Sequence, residues 1–280
     1  MLSTLHKADD RYQGLRISPD GSRAAITVRD AEGGQDVWTL DLARGVQSRI
    51  SFGSHGSGSA WSPDGQRLAF SGLNRSQIFV RSASGGGEEE LLAQSKINVL
   101  VLNDWSPDGR YLMYTAGSPQ TKLDLMLLPL TGDRKPAPYL RTPSIERHGQ
   151  FSPDGKWIAY SSNDSGRSEI YVQSFPAGPA KWPVSNGGGG FPRWRRDGKE
   201  LFYLSPDNRI MAASVRAGPQ GLEFGVPVAL LRVGEPTGNL AYPYDVAPDG
   251  QRILALVPGG APGDAATLTV LLNWETKLKK

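Results

Sequence analysis

The sequence Trp-Ser-Pro-Asp-Gly at residues 61–65 returns unchanged at residues 105–109, and related forms occur at four further places. Aligned on the Asp-Gly pair, the copies follow one another at intervals of 44, 44, 46, 43 and 52 residues. The aligned aspartates are Asp20, Asp64, Asp108, Asp154, Asp197 and Asp249. Repeats of this length are typical of propeller blades and of helical arrays. The repeat therefore limits the fold to these two architectures.

The residues after each Asp-Gly pair distinguish strands from helices. They are short segments rich in aromatic and branched side chains, such as QRLAFSG at 66–72 and KWIAYSS at 156–162, and such segments indicate strands. Proline presets the turn and glycine takes its left-handed position, so each copy predicts a tight hairpin. Further strand signals follow in most repeats, as at 78–80 and 170–172. Six repeats of four strands predict an all-β fold, a six-bladed propeller of four-stranded antiparallel blades.

We expect one domain over residues 1–280. Its blades are predicted at approximately 11–52, 55–96, 100–142, 145–187, 190–233 and 240–275. The last repeat has no clear fourth strand. We expect residues 1–10 to supply it by pairing with the C-terminal blade, which would remove an exposed sheet edge.

The Ser and Asp of the repeated motif are predicted to form turns. A catalytic serine is needed once, and the fifth copy, at 194–198, has lost both Ser and Pro. The motif tryptophans Trp61, Trp105 and Trp194 are expected to wedge between blades, with ligand stacking as the alternative.

Composition excludes several classes of function. The chain has no cysteine, which rules out disulfides and a cysteine nucleophile. Its net charge of +3 is spread along the sequence, so no nucleic-acid partner is indicated. No run has the length and apolarity of a signal sequence or membrane span. We expect a monomer.

Motifs for nucleophilic catalysis are missing. The segment GSHGSGS at 53–59 resembles Gly-x-Ser-x-Gly, but it places His55 where a glycine is required. The only histidines are His6, His55 and His148, and no His-Glu-x-x-His or EF-hand sequence occurs. A serine or cysteine hydrolase is therefore not predicted.

The loops leading into the inner strands are expected to surround a central channel, where propellers usually bind ligands. The residues four before each turn aspartate are Arg16, Ala60, Asp104, Gln150, Arg193 and Asp245. One interpretation is a ring of ion pairs between blades. In the other, Asp104, Asn103 and Glu146 bind calcium through oxygen ligands, and His148 acts as a general base.

Further residues join this predicted binding site. Tyr242 and Tyr244 flank Pro243, and they would either stack on a ligand or pack against other side chains of the protein. The candidate binding residues at the channel mouth are Arg16, His55, Asp104, Gln150, Arg193, Tyr242, Tyr244 and Asp245. Asn163, Asp164 and Glu169 lie in a polar hairpin that is expected to be structural.

The segment FSPDGKWIAYSSNDSGRSEIYV, from Phe151, resembles the blades of the TolB-like β-propeller family. The resemblance extends from about Leu15 to Trp274. Parts of the chain are similar to bacterial propellers that follow a kinase or DNA-binding domain, but the kinase signatures are missing. The resemblance implies a propeller, a periplasmic or other extracytoplasmic location, and protein partners.

Three functions are compatible with these features. The first is a binding module for a protein, peptide or small molecule, which needs no catalytic group. The second is a calcium-assisted hydrolase of lactones or esters, in which the metal polarises the carbonyl and activates water. The third is a sensor domain that signals to another domain.

Overall fold

The computed structural model describes residues 2–6, 12–30, 32–53, 58–72, 76–96, 99–219, 221–234, 242–257 and 267–272. Every regular element in these residues is a β-strand, and they include no helix that would cross a membrane. The chain divides into two compact units. The first unit comprises residues 1–102 and 233–280, and the second comprises residues 103–232.

The strands of the first unit come from both ends of the chain. They are β1 (Leu2–His6), β2 (Tyr12–Ile17), β3 (Arg23–Arg29), β4 (Gln35–Asp41), β5 (Gln47–Arg49), β6 (Ser59–Trp61), β7 (Arg67–Gly72), β8 (Gln77–Ser82), β9 (Glu90–Gln94), β23 (Tyr244–Val246), β24 (Arg252–Val257) and β25 (Thr267–Leu272).

The second unit, with the strand that leads into it, contains the remaining strands. They are β10 (Leu100–Trp105), β11 (Tyr111–Ser118), β12 (Lys122–Pro129), β13 (Ala137–Leu140), β14 (Glu146–Phe151), β15 (Trp157–Ser162), β16 (Glu169–Ser174), β17 (Lys181–Pro183), β18 (Gly190–Trp194), β19 (Glu200–Leu204), β20 (Arg209–Gly218), β21 (Gly221–Phe224) and β22 (Val228–Arg232).

The sheets correct the predicted fold of six four-stranded blades. Five blades are built from consecutive strands: β2–β5, β6–β9, β10–β13, β14–β17 and β18–β22. The last of these has five strands, because the ten-residue β20 pairs with β22 along its first half and with β21 along its second. The remaining sheet is not a run of consecutive strands, since its order is β1-β25-β24-β23. The structure therefore has five blades built from consecutive strands, and the prediction of six equivalent blades was wrong.

The N-terminal residues pair with the C-terminal strand, as predicted. Strand β1 runs antiparallel to β25, with Leu2 opposite Leu271 and Ser3 opposite Val270. Because β25 has β24 on its other side, both of its edges are hydrogen-bonded.

The repeated Ser-Pro-Asp-Gly segments form tight turns, which confirms their structural role. In the copy before β15, the Ser152 hydroxyl donates to Asp154 Oδ1 at 2.6 Å and accepts the Trp157 N–H at 2.9 Å. The Asp154 carboxylate accepts the Lys156 N–H at 3.1 Å. The glycines of all six turns have φ between +61° and +76°, a range in which other residues are strained. Serine, aspartate and glycine are thus all used by the turn itself.

The fifth turn keeps this geometry without the serine. Arg195 stands in the serine position, and its guanidinium approaches Asp197 Oδ1 at 3.4 Å and Glu200 Oε2 at 2.8 Å. The Lys199 N–H still donates to Asp197 at 3.0 Å, and the Gly198 N–H donates to the Arg195 carbonyl at 2.9 Å. The backbone turn therefore depends on Asp and Gly more than on Ser and Pro.

Apolar cores lie between successive sheets because alternate residues of a strand point to opposite faces. In β3, Ala24 and Ile26 belong to one core with Leu254 of β24, whereas Ala25 belongs to another with Phe70 of β7. Trp61 is 6% exposed, and its Nε1 donates to the Arg16 carbonyl of the neighbouring blade at 2.9 Å. This tryptophan packs between blades, as the sequence predicted.

The turn aspartates make stability sensitive to acid. The Ser18 hydroxyl and the Ser22 N–H lower the pKa of Asp20 from 3.8 to about 2, and Ser62 and Ser205 act in the same direction on the pKa of Asp64 and Asp207. A carboxyl with a lowered folded-state pKa stabilises the fold above its unfolded pKa and loses that contribution as the pH falls through the folded pKa. We therefore expect the free energy of unfolding, measured by urea denaturation, to fall as the pH drops from 3.8 towards about 2. The fall should be smaller in Ser18→Ala, and an equal fall in this variant would contradict the assignment.

Candidate functional site

The structure places the predicted site residues in both units. Those of the first unit are Arg16, Tyr242, Tyr244 and Asp245. Those of the second unit are Asn103, Asp104, Glu146, His148, Gln150 and Arg193. His55 lies outside the described residues.

Asp245 joins two inner strands of the first unit. Its Oδ2 accepts the Ile17 N–H of β2 at 2.7 Å, and its Oδ1 accepts the Val246 N–H at 2.9 Å. Burial raises the pKa of Asp245, and the nearby Arg16 guanidinium opposes that shift. The carboxylate therefore holds the backbone of the neighbouring sheet and interacts with the arginine of the predicted ring.

Asp104 has the same role in the second unit. It is 8% exposed, and its Oδ2 accepts the Phe151 N–H of β14 at 2.9 Å. In both units, an aspartate four residues before a turn aspartate accepts a backbone N–H from the next inner strand. The donor is the residue that follows the position aligned with that aspartate. We call this contact, between the aspartate carboxylate and the backbone of the next inner strand, the clamp, and it gives both aspartates a structural role.

Asn103 and Glu146 are almost fully buried in the second unit. Asn103 Oδ1 accepts the Thr115 hydroxyl at 2.8 Å, and Glu146 Oε1 accepts the Thr142 hydroxyl. Burial raises the pKa of Glu146, although Thr142 opposes the shift, and the Asp124 carboxylate raises it further. Glu146 is thus a buried carboxyl group beside a second one.

Sequence reasoning missed Asp124. It is 1% exposed in β12, and Leu123 of this strand forms a parallel bridge with Ile145, next to Glu146. Asp124 Oδ2 accepts Thr121 Oγ1 at 2.9 Å and Arg141 Nε at 3.1 Å. Within the described chain, Asp124 Oδ1 and Glu146 Oε2 are buried without a hydrogen-bond partner. A charged residue inside the apolar segment KLDLMLLP was the available signal.

His148 is completely buried. Its ring stacks on Phe191 with a centroid distance of 4.1 Å, and its Nδ1 lies 3.0 Å from Ser161 Oγ and 3.4 Å from the Phe191 nitrogen. Both His148 and Phe191 have positive φ, at 60° and 56°, where their strands β14 and β18 shift register. These contacts favour packing over general-base catalysis.

The other polar members of the predicted ring in the second unit are also buried. Gln150 is 4% exposed and Arg193 is 3% exposed. In the first unit, the side chain of Tyr244 is fully buried and Tyr242 is 6% exposed, while the Tyr242 carbonyl accepts the Leu15 N–H at 3.1 Å. Burial of both tyrosines favours packing over ligand stacking.

Antiparallel strand order gives the second unit two ends. The turn end carries the Ser-Pro-Asp-Gly turns and the loop at 130–136, and the loop end carries the hairpins at 119–121 and 163–168 and the loops before β14 and β18. At the loop end, Glu169 accepts the N–H groups of Gly187 at 3.1 Å and Gly188 at 3.0 Å. Burial alone would raise the pKa of Glu169, but Ser185, Arg167 and the two glycine N–H groups hold it below its usual value. A buried carboxylate thus fixes the glycine-rich loop.

A groove of about 700 Å³ lies beside this anchored loop. It is bounded by the hairpin residues Ser165 and Arg167 and by Pro183 and Asn186 before β18. Arg167 Nε binds Glu169 at 2.6 Å, so the hairpin and the loop share one anchor. The groove is therefore formed by segments that are already held in place.

The predicted calcium site stays a prediction. Among the residues that the structure describes, no group of three or more His, Cys, Asp or Glu side chains is arranged to hold a metal. One side-chain oxygen of each predicted ligand, Asp104, Asn103 and Glu146, accepts a hydrogen bond from the protein.

No protein-family model and no curated protein sequence matches the chain. Solved structures match the chain. A protein assigned as TolB from Agrobacterium tumefaciens is 20% identical with a TM-score of 0.68, and the match covers 92% of this chain and 89% of that one. TolB from Acinetobacter baumannii is 16% identical with a TM-score of 0.71 and covers 91% of this chain and 64% of that one.

An enzyme is also among the similar structures. An oligogalacturonate lyase in complex with manganese is 15% identical with a TM-score of 0.64, and the match covers 99% of this chain and 94% of that one. At such identities the likeness is one of fold, and propellers host many functions. With the repeated blades and the two TolB structures together, the chain has a TolB-like β-propeller fold.

Proposed function

We propose that the protein is a binding module that holds a protein, peptide or small-molecule ligand at the loop end of its second unit. The observation that carries this proposal is the groove of about 700 Å³ beside Glu169. Its walls are preorganised, because one carboxylate binds both the glycine-rich loop and Arg167. Preorganised loops reduce the entropy that a complex loses on forming.

The surroundings of the groove suit a polar partner. Asp164 and Lys181 form an ion pair at the hairpin, and Ser165 and Asn186 are exposed. Loops on a rigid β-scaffold are common sites of recognition. Likeness to TolB supports a protein partner and an extracytoplasmic location.

Filling the groove should abolish binding. We expect Ser165→Trp, which places a large ring at the hairpin, to lose partners that the wild-type protein retains from an extract of its source organism. Thr131→Trp is the matched control, because Thr131 is an exposed hydroxyl residue at the turn end of the same unit. Quantitative mass spectrometry of the retained proteins measures the difference. Identical sets of proteins for both variants would contradict the proposal.

The calcium-assisted hydrolase is the second candidate function. The observation that favours it is the buried pair Asp124 and Glu146, each with one carboxylate oxygen that lacks a protein partner in the described chain. Carboxylate oxygens suit calcium, although six to eight oxygen ligands would be needed. Hydrolysis of lactones or esters that stops with chelator and in Glu146→Gln would favour this function over the binding module.

A further inference from the structure

The groove beside Glu169 at the loop end exposes one edge of the Arg167 guanidinium. Arg167 lines this groove, and its side chain is 61% exposed. Its Nε donates to Glu169 Oε1 at 2.6 Å, and its Nη2 lies 3.4 Å from Asn186 Oδ1. Its Nη1 makes no hydrogen bond with the described part of the chain. Because each terminal nitrogen carries two hydrogens, the edge formed by Nη1 and Nη2 can still donate two parallel hydrogen bonds.

The carboxylate of Glu169 leaves no oxygen for a ligand. Its Oε1 accepts hydrogen bonds from Arg167 and from the N–H groups of Gly187 and Gly188. Its Oε2 accepts the Ser185 hydroxyl, and the side chain is only 6% exposed. Among the described residues that line the groove, Glu169 is the only acidic one. The groove therefore offers no free carboxylate to a cationic ligand.

The other polar side chains of the groove add donors and positive charge. The Tyr171 hydroxyl makes no hydrogen bond with the described chain, and Tyr171 lines the groove. Lys181 Nζ lies 4.7 Å from the centre of the Tyr171 ring, so a second cation lies beside the groove. Asp164, the ion-pair partner of Lys181, is not one of the lining residues. The groove is thus complementary to a negatively charged hydrogen-bond acceptor.

We propose that the partner held at the loop end inserts the carboxylate of an aspartate or glutamate side chain into this groove, a step that rests on the proposed binding function. The carboxylate accepts two parallel hydrogen bonds from Arg167 Nη1 and Nη2, because the planar guanidinium matches a carboxylate in geometry. A further lone pair accepts the Tyr171 hydroxyl. Pro183 and Val184, which also line the groove, contact the methylene groups of the acidic side chain. A volume of about 700 Å³ admits this side chain together with neighbouring peptide.

A random-peptide library displayed on phage tests this proposal. We expect the peptides that the wild-type protein retains, and that Ser165→Trp loses, to share an aspartate or a glutamate. Replacing that residue by asparagine or glutamine in the synthetic peptide should weaken binding about 10–100-fold, the value of a hydrogen bond to a charged group. Isothermal titration calorimetry measures both affinities. Added salt should weaken binding of the acidic peptide more than binding of its amide counterpart.

Variants of Arg167 identify the group that binds the carboxylate. Arg167→Gln should bind the acidic peptide and its amide counterpart with nearly equal affinity, whereas Arg167→Lys should keep part of the difference. Arg216→Gln is the matched control and should keep the full difference, because Arg216 is 81% exposed, pairs with Glu223 and does not line the groove. Two glycine N–H groups and a serine hydroxyl still hold Glu169 in Arg167→Gln. Thermal unfolding shows that each variant is folded.

The possible outcomes separate the carboxylate from the binding function itself. Peptides that depend on Ser165 but share no acidic residue would overturn the assignment of a carboxylate and leave the groove as a binding site. The same would follow if Arg167→Gln kept the preference for the acidic peptide, or if phosphoserine in place of the acidic residue bound more tightly. A library that yields no peptide dependent on Ser165 would contradict binding at the loop end, and the carboxylate with it.

Discussion

Replacing Gly58 by alanine is expected to destabilise the protein by about 2–4 kcal/mol. Gly58 has φ of +96°, and a Cβ atom added there would lie 2.4 Å from the backbone carbonyl oxygen of Leu102. The neighbouring backbone has little freedom to move, because the Leu102 N–H donates to Ser71 Oγ at 2.8 Å and the Ser71 N–H donates to the Gly58 carbonyl at 3.2 Å. The substitution therefore combines conformational strain with a collision against fixed backbone.

Gly45→Ala is the matched control for this effect. Gly45 also has positive φ, at +70°, but no atom of the described chain lies within 4 Å of its Cβ position. Its substitution should cost about 1 kcal/mol, the conformational part alone. Urea denaturation of both variants measures the two costs. Equal costs would show that Gly58 does not approach Leu102 as closely as the structure has it.

The turns were predictable from sequence because their chemistry is local. The interactions that define the turn at Ser152 and Asp154 join residues two to five positions apart. Glycine at a fixed place then sets the backbone. Six copies of such a signal also fix the strand that follows each turn, so the all-β propeller follows from short-range rules.

The number and pairing of the strands within each blade could not be predicted in the same way. Nothing in Arg209–Gly218 shows that one strand will pair with β21 along one half and with β22 along the other. That outcome depends on where the chain returns after residue 224, which is a tertiary property. The sequence therefore predicted four strands where the fifth blade has five.

Alignment of the repeats located the candidate site residues along the chain, but it did not predict how deeply their side chains are buried. Asp104 and His148 were placed beside an expected channel, and the structure shows them 8% and 0% exposed. Alignment likewise treated Trp61 and Trp194 as equivalent, yet only the first has an acceptor for its indole N–H in the described chain. Depth and hydrogen bonding depend on neighbouring blades, which a single repeat does not encode.

Replacing Asp104 by alanine is expected to lower the free energy of unfolding by about 2–3 kcal/mol. The substitution removes the acceptor of the Phe151 N–H, whose hydrogen bond joins β10 to β14, and leaves that donor buried. A buried donor without a partner costs more than the hydrogen bond itself contributes. Asp104→Asn keeps a side-chain oxygen at this position, so we expect it to lose about 1 kcal/mol.

Calcium distinguishes the clamp from the metal ligand that the sequence also allowed. If Asp104 serves only to hold β14, urea denaturation should give the same difference between wild type and Asp104→Ala with calcium and with chelator. A metal ligand would behave otherwise, since a bound ion stabilises the folded state and the variant would lose that gain. Asp245→Ala, which removes the matching contact to Ile17 in the first unit, should cost at least as much, because Asp245 also accepts the Val246 N–H and interacts with Arg16. Calcium-dependent stabilisation confined to proteins that retain Asp104 would replace the clamp with a metal site.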